Sequence, residues 1–161
     1  MSGTDAAAFR GLRLEGLHEH PEAFGASWED EARQSEAEFA ARLDSGVVFG
    51  AKTEDAARLD VIVGIHRPTA AKIKHKAVIW GMYVRAEARR FGLGAALLRA
   101  AIEHATLSVE ELTLSVGAEN KGALDLYKSA GFRKYGLELR ALKIGNIYYD
   151  EVLMSLSLSE I

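Results

Sequence analysis

One unit near the middle of the chain restricts the fold more than any other. Val78-Ile79-Trp80-Gly81-Met82-Tyr83-Val84 is an apolar run of strand length. A basic, glycine-containing loop follows, Arg89-Arg90-Phe91-Gly92-Leu93-Gly94, and Ala95-Ala96-Leu97-Leu98 then opens an alanine- and leucine-rich helix. At such a helix start the first backbone N–H groups lack intrahelical partners and gather partial positive charge. That makes a seat for a phosphate or diphosphate. Gly92 and Gly94 let the main chain approach a ligand with no Cβ in the way, and Arg89 and Arg90 add positive charge beside it.

The chain has 161 residues, 48% of them hydrophobic, which is enough to bury a core in one domain spanning 1–161. It contains no cysteine, which removes disulfides, thiolate metal sites and cysteine nucleophiles together. The net charge of −3 argues against a nucleic-acid partner. The amino terminus has no basic segment followed by an apolar run, and no stretch is long and apolar enough for a membrane. These features predict a cytoplasmic protein with no membrane and no nucleic-acid partner. No spacing suggests a metal site.

The remaining elements follow from periodicity. Phe9, Leu12 and Leu17 predict a helix after Thr4-Asp5 that breaks at Pro21. A second helical segment is predicted from about Ser27 to Leu43, with Asp30 or Ser35 able to start part of it. Val47–Ala51 and Val61–Ile65 read as strands joined by the polar stretch Lys52 to Asp60. Lys72, Lys74 and Lys76 alternate with Ile73, His75 and Ala77, which extends the strand ending at Val84 backwards. The helix from Gly92 to Thr106 is predicted to turn Ala96, Leu97, Ala100, Ala101 and His104 inward. Leu112–Val116 reads as a strand, Asn120–Ser129 as a helix closed by Gly131, and the end of the chain as two strands around Ile144-Gly145-Asn146. This order gives a mixed α/β domain, class α+β.

Gly92-Leu93-Gly94-Ala95-Ala96-Leu97 meets only two glycines of the dinucleotide fingerprint, with Leu97 at the third position. A nicotinamide-type oxidoreductase therefore rests on Gly92 and Gly94 alone. Asn120 and Tyr127 stand two helical turns apart and share a face if the helix starts at Asn120. Singly, Asn120 also reads as a cap and Tyr127 as a core residue.

Arg89-Arg90-Phe91-Gly92-Leu93-Gly94 together with Asn120, Ala123, Leu126-Tyr127 and Gly131-Phe132 resembles the paired signatures of the GNAT superfamily of acyl-CoA-dependent N-acyltransferases. Pro21-Glu22-Ala23-Phe24-Gly25-Ala26-Ser27 and Tyr149-Asp150-Glu151-Val152-Leu153-Met154 are similar to bacterial members, so the resemblance covers nearly the whole chain. It departs in one respect: almost nothing precedes the first helix, where members begin with a short strand.

The resemblance implies a mostly antiparallel central sheet splayed in the middle, with helices on both faces. It implies acetyl-CoA as cosubstrate, bound by Met82, Tyr83, Val84, Arg89, Arg90, Phe91, Gly92, Leu93, Gly94, Ala95, Asn120 and Tyr127. The main chain of Met82 to Val84 would pair with the pantetheine arm. Tyr127 would be the catalytic group, protonating the departing sulfur. The implied activity is direct acetyl transfer to a primary amine of a small molecule or peptide. A non-catalytic acyl-CoA-binding module on the same fold is the alternative, and a homodimer is left open. Phe24, Trp28, Tyr148 and Tyr149 are candidate walls for the acceptor. The region before the splay, Ala77-Val78-Ile79-Trp80, holds no carboxylate. His75, Glu29 and Asp30 are therefore the candidate bases, beside water-relayed proton loss or an acceptor amine that is already neutral. The other histidines, His18, His20, His66 and His104, read as surface or core residues.

Overall fold

A computed structural model describes residues 1–53 and 58–158; the middle of the connection expected between Lys52 and Asp60 lies outside the described residues. The first helix, α1 (Ala6–Glu19), buries Phe9, Leu12, Gly16 and Leu17 on one side and stops before Pro21. The next helical segment is two helices. Ser27 caps α2 (Trp28–Ala32) by accepting from the Asp30 amide. Ser35 opens α3 (Glu36–Ser45) with a capping box closed by Glu38. Two caps so close together divide the segment.

Eight further elements follow: β1 (Val47–Ala51), β2 (Val61–His66), β3 (Lys76–Val84), α4 (Leu93–Thr106), β4 (Glu111–Gly117), α5 (Lys121–Ser129), β5 (Arg133–Ile144) and β6 (Ile147–Ser157). Among the described residues no strand precedes α1, as the sequence suggests. The six strands form one sheet in the order β1-β2-β3-β4-β6-β5. β3 and β4 run parallel and the other neighbouring pairs run antiparallel.

Two expectations fail. The alternating stretch before Lys76 is a turn, closed by Ile73 N donating to Ala70 O and Lys76 N to Ile73 O. Ile73 is exposed, so the alternation has no apolar face to bury, and the strand starts only where Lys76 meets Glu111. The buried stripe of α4 is Leu97, Leu98, Ala101 and Ala105, while Ala96 and His104 are exposed. Turning both leucines inward removes more apolar surface from water than turning in an alanine and a histidine. The His104 ring rests edge-on against Phe49, 5.5 Å away.

Helices cover both faces. Val61, Val63 and Ile65 of β2 join Leu98 of α4 and Tyr127 of α5 in one core. Ile62, between them on the other face, joins Phe9 and Leu12 of α1 and Phe39 and Leu43 of α3 in the second.

The sheet divides between β3 and β4. Their pairing covers Lys76 with Glu111, Ala77 with Leu112, and Val78 with Thr113, and goes no further. Beyond it β3 stays on β2 and β4 stays on β6. Gly81 marks a bulge in β3: its φ is 64°, and the register with β2 shifts by one residue opposite Val63. A side chain is rarely tolerated at that φ, which explains a glycine inside an otherwise apolar strand.

Candidate active site

The divided sheet opens into a cleft of about 880 Å³. Met82, Tyr83 and Val84 of β3 form one wall, and Gly117 to Asn120 after β4 form another. The loop from Ala88 to Ala95, the start of α5, Tyr148–Asp150 of β6 and the segment His20–Phe24 complete it.

The loop before α4 has the chemistry its sequence suggests. Arg90 and Gly92 both take left-handed φ, 68° and 75°. Residues of that hand in tight loops turn neighbouring N–H groups to one side and form anion-binding concavities. The first helical bond is Ala96 N to Gly92 O at 2.9 Å. The six amides from Arg90 to Ala95 donate to nothing among the described residues. They stand at a helix N-terminus, where the dipole also favours an anion.

The two glycines serve different ends. A Cβ on Gly92 would enter open space, so its role is the left-handed φ. A Cβ on Gly94 would meet Val84 Cγ2 at 3.0 Å and Met82 Cε at 3.3 Å. Gly94 therefore lets α4 lie close on β3, a packing role that the ligand-approach argument missed.

Most of the expected cofactor residues converge. Met82, Tyr83, Val84, Arg89, Arg90, Gly92, Leu93, Gly94, Ala95 and Asn120 all line the cleft. Phe91 does not: it is 75% exposed between the two left-handed residues. Asn120 caps α5, its side-chain oxygen accepting from Ala123 N at 3.1 Å. Arg89 spends its guanidinium on the walls rather than on the helix start. Its Nε donates to Val84 O at 2.9 Å and its Nη2 lies 3.2 Å from His20 Nε2. The Tyr83 hydroxyl donates to Glu19 at 3.0 Å and to Glu15 at 3.3 Å. Burial first, and then those carboxylates, push its pKa up.

Tyr127 lies beneath the lining rather than in it. It is 6% exposed, in the core with its ring edge-on to Phe132 at 5.8 Å. Its hydroxyl makes no hydrogen bond among the described residues, and burial raises its pKa to about 12. Its helix neighbours Ala123 and Leu126 do line the cleft.

On the acceptor side Phe24, Tyr148 and Tyr149 line the cleft and Trp28 does not. Trp28 is 40% exposed and packs edge-on against His18. Phe24 is backed by Arg13, whose guanidinium carbon is 5.0 Å from the ring centre. Arg13 grips Glu31 with two bonds of 3.1 and 2.9 Å, and Arg42 adds a third at 3.1 Å. Burial alone would raise the Glu31 pKa; the hydrogen bond from Arg13 and the two positive charges outweigh it and hold it below the usual value.

None of the expected bases reaches the cleft. His75 stands at the closed end of β3, where its carbonyl accepts from Glu110 and Glu111. Glu29 and Asp30 are exposed on α2, and Asp30 is held by Ser27. The imidazole and carboxylates that line it instead are His20, Glu22, Glu119 and Asp150. Glu22 and Asp150 belong to segments already singled out for their resemblance. His20 carries no local signal, since only tertiary folding brings the end of α1 to the loop before α4.

The sheet is thus divided, and six amides in the loop that lines the division have no partner among the described residues. The model of the Acetyltransferase (GNAT) family matches residues 14–132, and the chain belongs to that family. The family's acyl donor is acetyl-CoA. No curated protein sequence matches the chain. Among solved structures, a GNAT-family acetyltransferase from Streptococcus pneumoniae superposes with a TM-score of 0.84 at 23% identity, covering 98% of this chain and 95% of that one. A ribosomal-protein-alanine N-acetyltransferase from Brucella melitensis gives 0.78 at 20%, covering 98% and 96%. The Salmonella typhimurium protein yncA, solved with acetyl-CoA, gives 0.79 at 17%, covering 98% and 91%.

Proposed function

We propose that the chain, as one domain over 1–161, is an N-acetyltransferase. It moves the acetyl group of acetyl-CoA to a primary amine of a small molecule or peptide by direct transfer in a ternary complex. The observation that carries this reading is the set of six amides, Arg90 to Ala95, which have no partner among the described residues and belong to a loop lining the same cleft as the aromatic side chains Phe24, Tyr148 and Tyr149. The amides hold the cofactor diphosphate, with Arg90 beside them. The edge of β3 from Met82 to Val84 and the Asn120 side chain hold its arm. Phe24, Tyr148 and Tyr149 bound the acceptor, and aromatic faces suit a cationic amine.

The thioester supplies an activated acetyl group. Holding amine and carbonyl together supplies much of the rate. Tyr127 is the proton donor to the leaving sulfur. A phenol of pKa about 12 stays protonated at neutral pH. It gives up its proton to a thiolate, reference value about 8.5, only uphill, so it acts mainly as a hydrogen-bond donor. A cytoplasmic site of action belongs to the same proposal.

The second reading, a binding module without transfer, is favoured by the place of Tyr127 beneath the lining. One assay separates the two. Acetyl-CoA is incubated with the protein and a panel of primary amines, and free CoA is measured. Release with at least one amine is expected. Tight binding of acetyl-CoA with no release across the panel leaves the module, and no binding removes both.

A further inference from the structure

One arginine ties two walls of the cleft together. Arg89 stands in the diphosphate loop, anchored by Nε to the Val84 carbonyl. Its Nη2 reaches Nε2 of His20, which closes α1, at 3.2 Å. A guanidinium has donors only, so Nε2 is the acceptor and the ring proton sits on Nδ1. Nδ1 stands 3.6 Å from Glu22 Oε1. The Tyr83 ring, 6.2 Å away, also faces the imidazole, and its hydroxyl brings Glu15 and Glu19 close. Glu22, His20 and Arg89 thus form a chain along the cleft wall.

A diphosphate on the amides of Arg90 to Ala95 competes for that guanidinium. A charge-assisted bond from arginine to phosphate is stronger than one to a neutral imidazole. Once Arg89 turns away, Nε2 is left with an unshared lone pair in the cleft and a carboxylate behind the ring. We propose that His20 is the base that takes the proton from the acceptor amine, and that Arg89 covers it until the cofactor diphosphate draws the guanidinium off. This rests on the acetyl-transfer reading and adds the base that the sequence does not reveal. One proton of the acceptor ammonium passes to Nε2, which frees the nitrogen lone pair to form the C–N bond. The C–S bond breaks, and the sulfur leaves with that electron pair as a thiolate that accepts a hydrogen bond from the Tyr127 hydroxyl and picks up the remaining N–H proton lost on amide formation.

Two experiments test it. The first follows the histidine side-chain ¹⁵N resonances of the full chain with coenzyme A as the probe. Coenzyme A is expected to shift the His20 signals, and the free Arg89→Met variant to show them already at the shifted position. Movement of the Gly92 to Ala95 amides with His20 unmoved overturns the gate. No movement anywhere removes the cofactor site, and with it the acetyl-transfer reading. The second compares nucleophiles: hydroxylamine, uncharged at neutral pH, needs no base, whereas an ammonium does. His20→Gln is expected to slow CoA release with the panel's active primary amine on the order of 100-fold, within the usual range for general bases. The hydroxylamine-dependent release is expected to hold within about two-fold of the parent protein. Equal slowing with both probes makes His20 structural, and no slowing with either overturns the base. His20→Asn repeats the comparison should the glutamine variant unfold.

Discussion

Tyr127 carries the sharpest single-side-chain prediction. Tyr127 is a buried residue whose hydroxyl has no partner among the described residues, so its loss leaves no stranded partner behind. Tyr127→Phe is expected to lower turnover by about 100-fold and to leave acetyl-CoA affinity, read by calorimetry, nearly unchanged. Full turnover in that variant removes the hydroxyl from the chemistry. Glu31 carries the second. Its carboxyl is held below its ordinary value in the folded state, so its contribution is complete above the unfolded value and is lost as pH falls through the folded one. Glu31→Gln leaves the buried Arg13 without its counter-charge, while Arg42 keeps Gln34, and is expected to cost about 3 kcal/mol at neutral pH. Urea midpoints measured from pH 7 down to pH 3 should fall less steeply for the variant than for the parent; parallel curves would show that the carboxylate contributes no acid sensitivity. The helix start at Gly92 and the cap at Asn120 were readable from sequence because each is set by a few neighbours along the chain. His20 was not, because its partners Glu22 and Arg89 meet only across the cleft.

At the level of helices and strands, period and caps found the six strands and most of the α-helices, and errors arose where packing or a second cap chose between similar options. Ser27 and Ser35 each cap a separate helix, so one predicted helix became two. The lysines before Lys76 alternate as a strand would, but Ile73 has nothing to cover it. For α4 the period was right and the phase wrong: Leu98 turned inward in place of Ala96. Gly94 gives a test of how α4 sits on β3. A valine there adds branched carbon where a Cβ alone already meets Val84 at 3.0 Å. Gly94→Val is expected to destabilise the fold by about 1–3 kcal/mol and to weaken acetyl-CoA binding by moving the helix start. An unchanged denaturation midpoint with unchanged binding would show that the two elements do not meet there as described.

For the assembled fold, the mostly antiparallel sheet and its division were expected only through the resemblance, and the strand order was not read at all; periodicity gives strands but not their neighbours. The cleft makes the protein a ligand-stabilised one. At a hundred times its dissociation constant, acetyl-CoA is expected to add about 2.7 kcal/mol, which raises Tm by roughly 5–10 °C in a chain of this size; a flat melting curve refutes the site. Since only Lys76 to Val78 of β3 clasp β4, the two leaves of the sheet are joined by a short hinge. Cofactor lying between them acts as a brace. Deuterium uptake along Ile79 to Val84 should therefore slow when coenzyme A is added, while the long β5–β6 ribbon exchanges at the same pace, making the loaded protein mechanically stiffer than the empty one.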